Sequence, residues 1–117
     1  MEILTLVSTI LGGVLLLIGG GICVSWYLFW NRNYKGGLLT EGPYKYVRHP
    51  FYTGFIMLAV GLGVLIPLYE TRFLTVITLA VMMVFVPREE AELIRKYKSR
   101  YREYMEEVKW RLIPGII

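Results

Sequence analysis

From Ile3 to Trp30 the chain carries no charged side chain. A run of that length exceeds the ~20 residues that cross a ~30 Å hydrocarbon core, and in lipid an isolated segment satisfies all of its own backbone N–H and C=O groups only as a helix. The rest of the chain must therefore be built around a spanning helix. Composition agrees, because a chain of 117 residues that is 56% hydrophobic and 15% aromatic, with a mean hydropathy of +0.51, is too apolar for a soluble domain. The run has no positive segment before it and no small-residue cleavage site after it, so it is expected to be retained as a tilted helix rather than removed as a signal peptide.

Two more apolar segments follow. The first runs from Phe51 to Leu68, where Pro67, Glu70 and Arg72 mark a turn. The second, from Thr71 or Phe73 to Val86, is the shortest of the spans, reaching only ~21 Å from Phe73 at 1.5 Å per residue. Pro87 is expected to end it. Beyond it, Leu93, Tyr97, Tyr101, Tyr104 and Val108 recur at steps of three and four, which predicts an amphipathic helix over residues 88–110 with basic residues on its other face. Such a helix lies on a membrane surface or caps a bundle. The expected fold is an all-α integral membrane bundle in one domain, with spans over residues 3–30, 51–68 and 71–86 and an interfacial C-terminal helix.

Charge fixes the expected orientation. Three spans put the Asn31–Pro50 loop and the C-terminal tail on one side, and of the 13 basic residues only Arg72 falls on the other. Lys and Arg collect on the cytoplasmic face of spanning proteins, so the loop and the tail are expected to meet there. The formal net charge of +4 is accounted for by this asymmetry and by anionic lipid, and calls for no nucleic acid.

Several chemistries lack their parts. The chain has one cysteine, one histidine and no aspartate, which excludes a disulfide framework and a Cys/His metal cluster. His49 has no serine nucleophile near it in the sequence, and no glycine-rich phosphate loop follows a strand. What remains is Arg48, His49, the tyrosines, and the pair Glu89 and Glu90. Cations at a helix entrance and proline in a first helical turn are ordinary. They explain Arg48 and Pro50 but not His49 followed by Tyr52 and Gly54.

Those residues resemble a known family. The pattern GPYxxxRHPxYxG of the isoprenylcysteine carboxyl methyltransferases and their phospholipid-methylating relatives is matched by Gly42, Pro43, Tyr44, Arg48, His49, Pro50, Tyr52 and Gly54. The family's EExxLxxxFGxxYxxY is matched by Glu89, Glu90, Leu93, Tyr101 and Tyr104, with Tyr97 in place of Phe and Lys98 in place of Gly. The close VKWRLIPGI resembles the family's VPxxxP ending, with Lys109 at its first proline. The resemblance implies a membrane enzyme that transfers a methyl group from S-adenosylmethionine to a lipid or lipidated acceptor.

It also implies a donor site formed by Arg48, His49, Pro50, Tyr52, Gly54, Glu89 and Glu90. Arg48 and His49 suit the donor's carboxylate as charge-assisted donors, and the glutamates suit its ribose hydroxyls or ammonium. Arg88 and Arg95 are candidate counter-charges for an acidic acceptor, the carboxylate of a prenylated cysteine being favoured over a phospholipid amine. Each residue has a plainer reading beside this one. The glutamates favour a helix N-terminus, the tyrosine stripe is more ordinary as packing than as ligand contact, and arginines in a charge run are commonly solvated. Lys98 at the glycine position suggests that the tail helix continues where relatives turn. Relatives carry further spans before the GPY block, so three arrangements are open: a minimal core, part of a longer chain, or a homo-oligomer that completes the walls. Sterol-reductase-like enzymes share an RHPxY block and would bind NADPH, and a non-catalytic membrane scaffold is the remaining alternative.

Overall fold

The computed structural model describes residues 2–117. Four α-helices follow in order, α1 (Glu2–Asn33), α2 (Pro50–Leu65), α3 (Tyr69–Tyr97) and α4 (Ser99–Glu107), with a 3-10 turn over Gly42–Lys45 between the first two. Among the described residues there is no strand, as the uncharged run requires. At 1.5 Å per residue α1 is ~48 Å long, α2 ~24 Å and α3 ~43 Å. By length and composition α1 and α3 are apolar enough to cross a membrane, while α2, at 16 residues, is shorter than that measure. The short element is thus the middle one, not the third.

Helix α2 lies between the other two. Glycines set its approach to α1: a Cβ on Gly12 would come within 2.6 Å of the Leu65 backbone nitrogen, and one on Gly19 within 2.7 Å of the Gly54 carbonyl oxygen. These pairs, with Cys23 beside Gly54, run in opposite sequence directions and make α1 and α2 antiparallel. On its other side α2 meets α3 through Gly63 against Thr75, and through Ile56, Met82 and Val86, which share one buried cluster with Leu112 of the tail. Thr75 also donates its hydroxyl to the Ala59 carbonyl at 2.7 Å. The up-down-up course brings Arg32, Arg48 and Arg88 to one end of the bundle and Arg72 to the other.

The expected break at Pro87 is absent: α3 runs unbroken through it to Tyr97. Proline removes one donor and crowds the carbonyl four residues back. Here Val86 and Glu90, each 2% exposed, are held by packing on both sides of it, and helices in a bundle tolerate proline under those conditions. The amphipathic helix expected over 88–110 is therefore the end of α3 followed by the separate α4. The boundary falls at Lys98, whose φ of 54° and ψ of −125° belong to a region that favours glycine. The helix expected to continue through Lys98 is instead interrupted there, and the chain makes its turn with a lysine. The turn folds Tyr101 and Tyr104 back into a second cluster with Val108, Leu93, Tyr97, Leu38 and Tyr44, so the tyrosine stripe is chiefly packing.

Candidate active site

The N-terminal end of α2 is where the polar residues converge. His49 is the N-cap residue of α2 and Pro50 opens the helix, a position where proline's missing N–H removes a donor that would otherwise be unpaired. The backbone N–H groups of Arg48 and His49 donate instead to the Trp110 and Arg111 carbonyls, at 2.9 and 3.0 Å. One turn on, the Thr53 hydroxyl donates to the Leu112 carbonyl at 2.6 Å. The tail is in this way tied along the RHP segment and closes the end of the bundle.

Glu90 stands at the centre of what this closure buries. Its Oε2 receives His49 Nε2 at 3.1 Å and the Tyr101 hydroxyl at 3.3 Å, and its Oε1 receives Arg111 Nε at 2.7 Å. Arg48 Nε lies 2.9 Å from Oε2 as an ion pair without the alignment of a hydrogen bond. Since a carboxylate only accepts, His49 carries its hydrogen on Nε2. Burial by itself would raise the Glu90 carboxyl, but the His49 hydrogen bond and the charges of Arg48, His49 and Arg111 hold it below the usual glutamate range. Burial, with the neighbouring Glu90 charge, pushes the Tyr101 hydroxyl well above its ordinary value, so it remains a neutral donor. In Tyr104 burial again dominates, and its hydroxyl donates to the Tyr44 carbonyl at 2.5 Å.

Beside this buried cluster opens a cavity of about 550 Å3. Arg48 and His49 with Pro50, Phe51 and Tyr52 of α2 form one wall, and Glu89, Glu92, Leu93, Lys96 and Tyr97 of α3 another. The α3 residues follow helical spacing and so share one face. On the third side Trp26 and Trp30 of α1 and Tyr34 just beyond its end form a ladder, with Trp26 and Trp30 at 5.6 Å between ring centroids and Trp30 and Tyr34 at 3.8 Å. Trp26 Nε1 donates to the Tyr44 hydroxyl at 2.7 Å, which fixes the top of the ladder to the GPY turn. The Tyr52 hydroxyl donates to Glu89 Oε1 at 2.5 Å, while Glu89 Oε2 stands 3.8 Å from His49 Nδ1.

Of the residues singled out in the sequence, Arg48, His49, Pro50, Tyr52 and Glu89 line the cavity. Gly54 and Glu90 do not. Gly54 is a packing residue, since a Cβ there would come within 2.7 Å of Cys23 Sγ, and Glu90 is 2% exposed behind the wall. Arg88 and Arg95, expected as counter-charges, also lie off the cavity. At 100° per residue they fall more than 90° from Glu89 around α3, and Arg95 is spent on a surface pair with Glu92 at 2.6 Å. The basic residues at the cavity are Arg48 and Lys96. Sequence reasoning missed Arg111, Lys96 and the aromatic ladder. The ladder and Lys96 were within reach of helical spacing, but Arg111 is placed by the fold of the tail. Among the described residues no group of His, Cys, Asp or Glu side chains could hold a metal ion.

Residues 24–95 match the isoprenylcysteine carboxyl methyltransferase (ICMT) family. The chain is 35% identical over 81 residues to the protein-S-isoprenylcysteine O-methyltransferase of Schizosaccharomyces pombe, covering 67% of this chain and 34% of that protein. It is 34% identical over 80 residues to protein-S-isoprenylcysteine O-methyltransferase A of Arabidopsis thaliana, covering 67% and 40%. It is also 31% identical over 85 residues to a Delta(14)-sterol reductase of Mus musculus, covering 68% of this chain and 19% of that protein. The chain thus spans between a third and two fifths of the methyltransferases it resembles. No solved structure matches it.

Proposed function

The chain belongs to the isoprenylcysteine carboxyl methyltransferase family, and from that premise we propose that its cavity binds S-adenosylmethionine and directs methyl transfer to a lipid or lipidated acceptor, the carboxylate of a prenylated cysteine being favoured. The observation that carries this reading is Arg48. Its side chain is 8% exposed and is held by Glu90, whose Oε2 lies 2.9 Å from Nε, and it forms part of the cavity wall. A guanidinium held in this way suits an anion, and the donor's amino acid end supplies a carboxylate. Glu89 faces the same space and suits an ammonium or ribose hydroxyls, with Glu92 beside it paired to Arg95, while Leu93, Tyr97 and the aromatic ladder give apolar walls for a flat base. The volume lies in the range of ordinary small-ligand sites.

When bound, S-adenosylmethionine supplies an electrophilic methyl group, so that a bond from the acceptor oxygen forms as the carbon–sulfur bond breaks, and a carboxylate acceptor needs no general base. The chain's own residues are left with alignment and the exclusion of water. Tyr52, itself in the wall, holds Glu89, and Glu90 holds His49 from behind it. Lys96 at the wall offers a cation to an acidic acceptor in place of Arg88 or Arg95. The basic end of the bundle faces the cytoplasm in this reading, and the acceptor arrives laterally from the bilayer, beside aromatic residues of the kind that favour the interface.

Transfer of a labelled methyl group tests the reading, with a panel of farnesylcysteine analogues, phosphatidylethanolamine and soluble carboxylic acids. Label is expected in the farnesylcysteine analogues. Label in phosphatidylethanolamine alone would reject the carboxylate acceptor, and label only in soluble acids would reject lateral access. The likeness to the sterol reductase supports a second reading, a nicotinamide cofactor. Glu89 and Glu92 disfavour that cofactor's extra phosphate, and stabilisation of the purified protein by NADPH but not by S-adenosylhomocysteine would favour it.

A further inference from the structure

We propose that Arg111 is a positioning residue of the donor site, holding Glu90 from the C-terminal tail so that Glu90 in turn fixes Arg48 and His49 in the cavity wall. The inference rests on the functional reading above and extends it to a residue that the family motifs leave unassigned. Arg111 does not line the cavity, and its side chain is 38% exposed, so any effect on ligand must pass through another group. That group is Glu90.

The two oxygens of Glu90 divide their work. Oε2 faces the RHP segment and α4, and meets His49 Nε2, Arg48 Nε and the Tyr101 hydroxyl. Oε1 has Arg111 Nε as its hydrogen-bond partner, at 2.7 Å. A buried carboxylate with one oxygen unpaired is costly and free to rotate toward whatever donor it can find. With Arg111 in place, Oε1 is anchored and Oε2 is aimed at Arg48 and His49. Because Arg48 Nε is ion-paired with Oε2 at 2.9 Å, its position follows that of the carboxylate. The tail backbone adds a second hold on the same two residues, since the Trp110 and Arg111 carbonyls accept their N–H groups. Arg111 therefore joins the tail to the wall twice, by its side chain and by its main chain.

The titratable and charged groups around Glu90 are Arg48 and His49 ahead of α2, Glu89 on its own helix, Tyr101 and Tyr104 of α4, and Arg111 of the tail. Glu90 titrates below its ordinary range in the folded protein. Its contribution to stability is accordingly present above the unfolded-state value, ~4.3, and is lost as pH falls through the lower folded value. Removing Arg111 takes away one of the charges that lower it, so the contribution shrinks and its loss is complete at a higher pH.

The test compares the wild-type protein with Arg111→Gln and Arg111→Lys in detergent, by calorimetric titration with S-adenosylhomocysteine at pH 7 and by thermal unfolding from pH 3 to 7. Arg111→Gln is expected to bind about ten-fold more weakly, the scale of one charge-assisted hydrogen bond. It is expected to be less stable at pH 7, with an acid loss of stability that is smaller and complete at a higher pH, so that the two unfolding curves converge toward pH 3, and Arg111→Lys to recover most of both effects. Unchanged affinity in Arg111→Gln would overturn the proposal. So would a parallel loss of stability at every pH, with Arg111→Lys no better, because that is the mark of simple packing. If the wild-type protein binds no S-adenosylhomocysteine, the donor-site reading fails by itself. The unfolding curves then decide the Arg111–Glu90 linkage alone, and an unshifted acid limb overturns it.

Discussion

Glu89 and Glu90 are adjacent, yet the fold gives them opposite tasks. Glu89 has a side chain 46% exposed on the cavity wall, whereas that of Glu90 is 3% exposed among Arg48, His49 and Arg111. Replacing Glu90 by Ala strands the buried Arg48 charge, which costs about 3 kcal/mol or more. A large fall in thermal stability is therefore expected, with ligand binding lost as a consequence. His49→Ala removes one donor from Glu90 and one group from the wall while both arginines still compensate the carboxylate. It is expected to remain folded and to bind S-adenosylhomocysteine about ten-fold more weakly. Unfolding and titration of the two variants separate the tasks, and equal stability in both would contradict the assignment. The importance of both motifs was legible in the sequence, because charged side chains beside apolar runs need partners. Which glutamate faces the cavity was not legible. Adjacent residues on a helix differ by 100°, and only the docking of the tail decides which of them it covers.

At the level of the elements, the sequence marked its apolar segments well and their joints less well. Pro87 reads as a stop because its cost is local, but packing of Val86 and Glu90 outweighs it. Lys98 reads as helical because it replaces the glycine of the family's pattern, but the tyrosines beyond it reach their cluster only if the chain turns there. The turn leaves Lys98 as the one described non-glycine residue at positive φ. Such a conformation costs about 1–3 kcal/mol. Lys98→Gly relieves it, less the extra freedom that glycine gives the unfolded chain. A net stabilisation of about 1 kcal/mol is expected, read as a rise in melting temperature, and an unchanged or lowered value would contradict the strained turn. At the α1–α2 seam the opposite holds. A Cβ on Gly54 meets Cys23 Sγ at 2.7 Å and the Gly19 carbonyl at 2.9 Å, so Gly54→Val is expected to destabilise by about 1–3 kcal/mol through overpacking. Melting temperature reports it, and a variant as stable as the wild type would mean that the helices are not in close contact.

For the whole molecule, one short helix is flanked by two long ones, and both polar motifs and the tail gather at the same end. The resemblance and the distribution of charge anticipated that gathering, but Arg111, Lys96 and the aromatic ladder became visible only with the helices assembled. If the basic end faces the cytoplasm, a cysteine introduced as Lys45→Cys in a Cys23→Ala background resists an impermeant thiol reagent in intact cells and reacts after lysis. The opposite pattern is expected of Glu70→Cys, and labelling of the Lys45→Cys variant from outside would reverse the orientation. The central claim, that the cavity between α1, α2 and α3 is a methyl-donor site, is tested most directly by titrating S-adenosylhomocysteine into the purified wild-type protein and Glu89→Ala. Saturable binding is expected in the wild type, weakened about ten-fold in the variant by loss of one charge-assisted contact, with no comparable binding of NADPH. Binding of NADPH in its place, or S-adenosylhomocysteine affinity indifferent to Glu89→Ala, would contradict it.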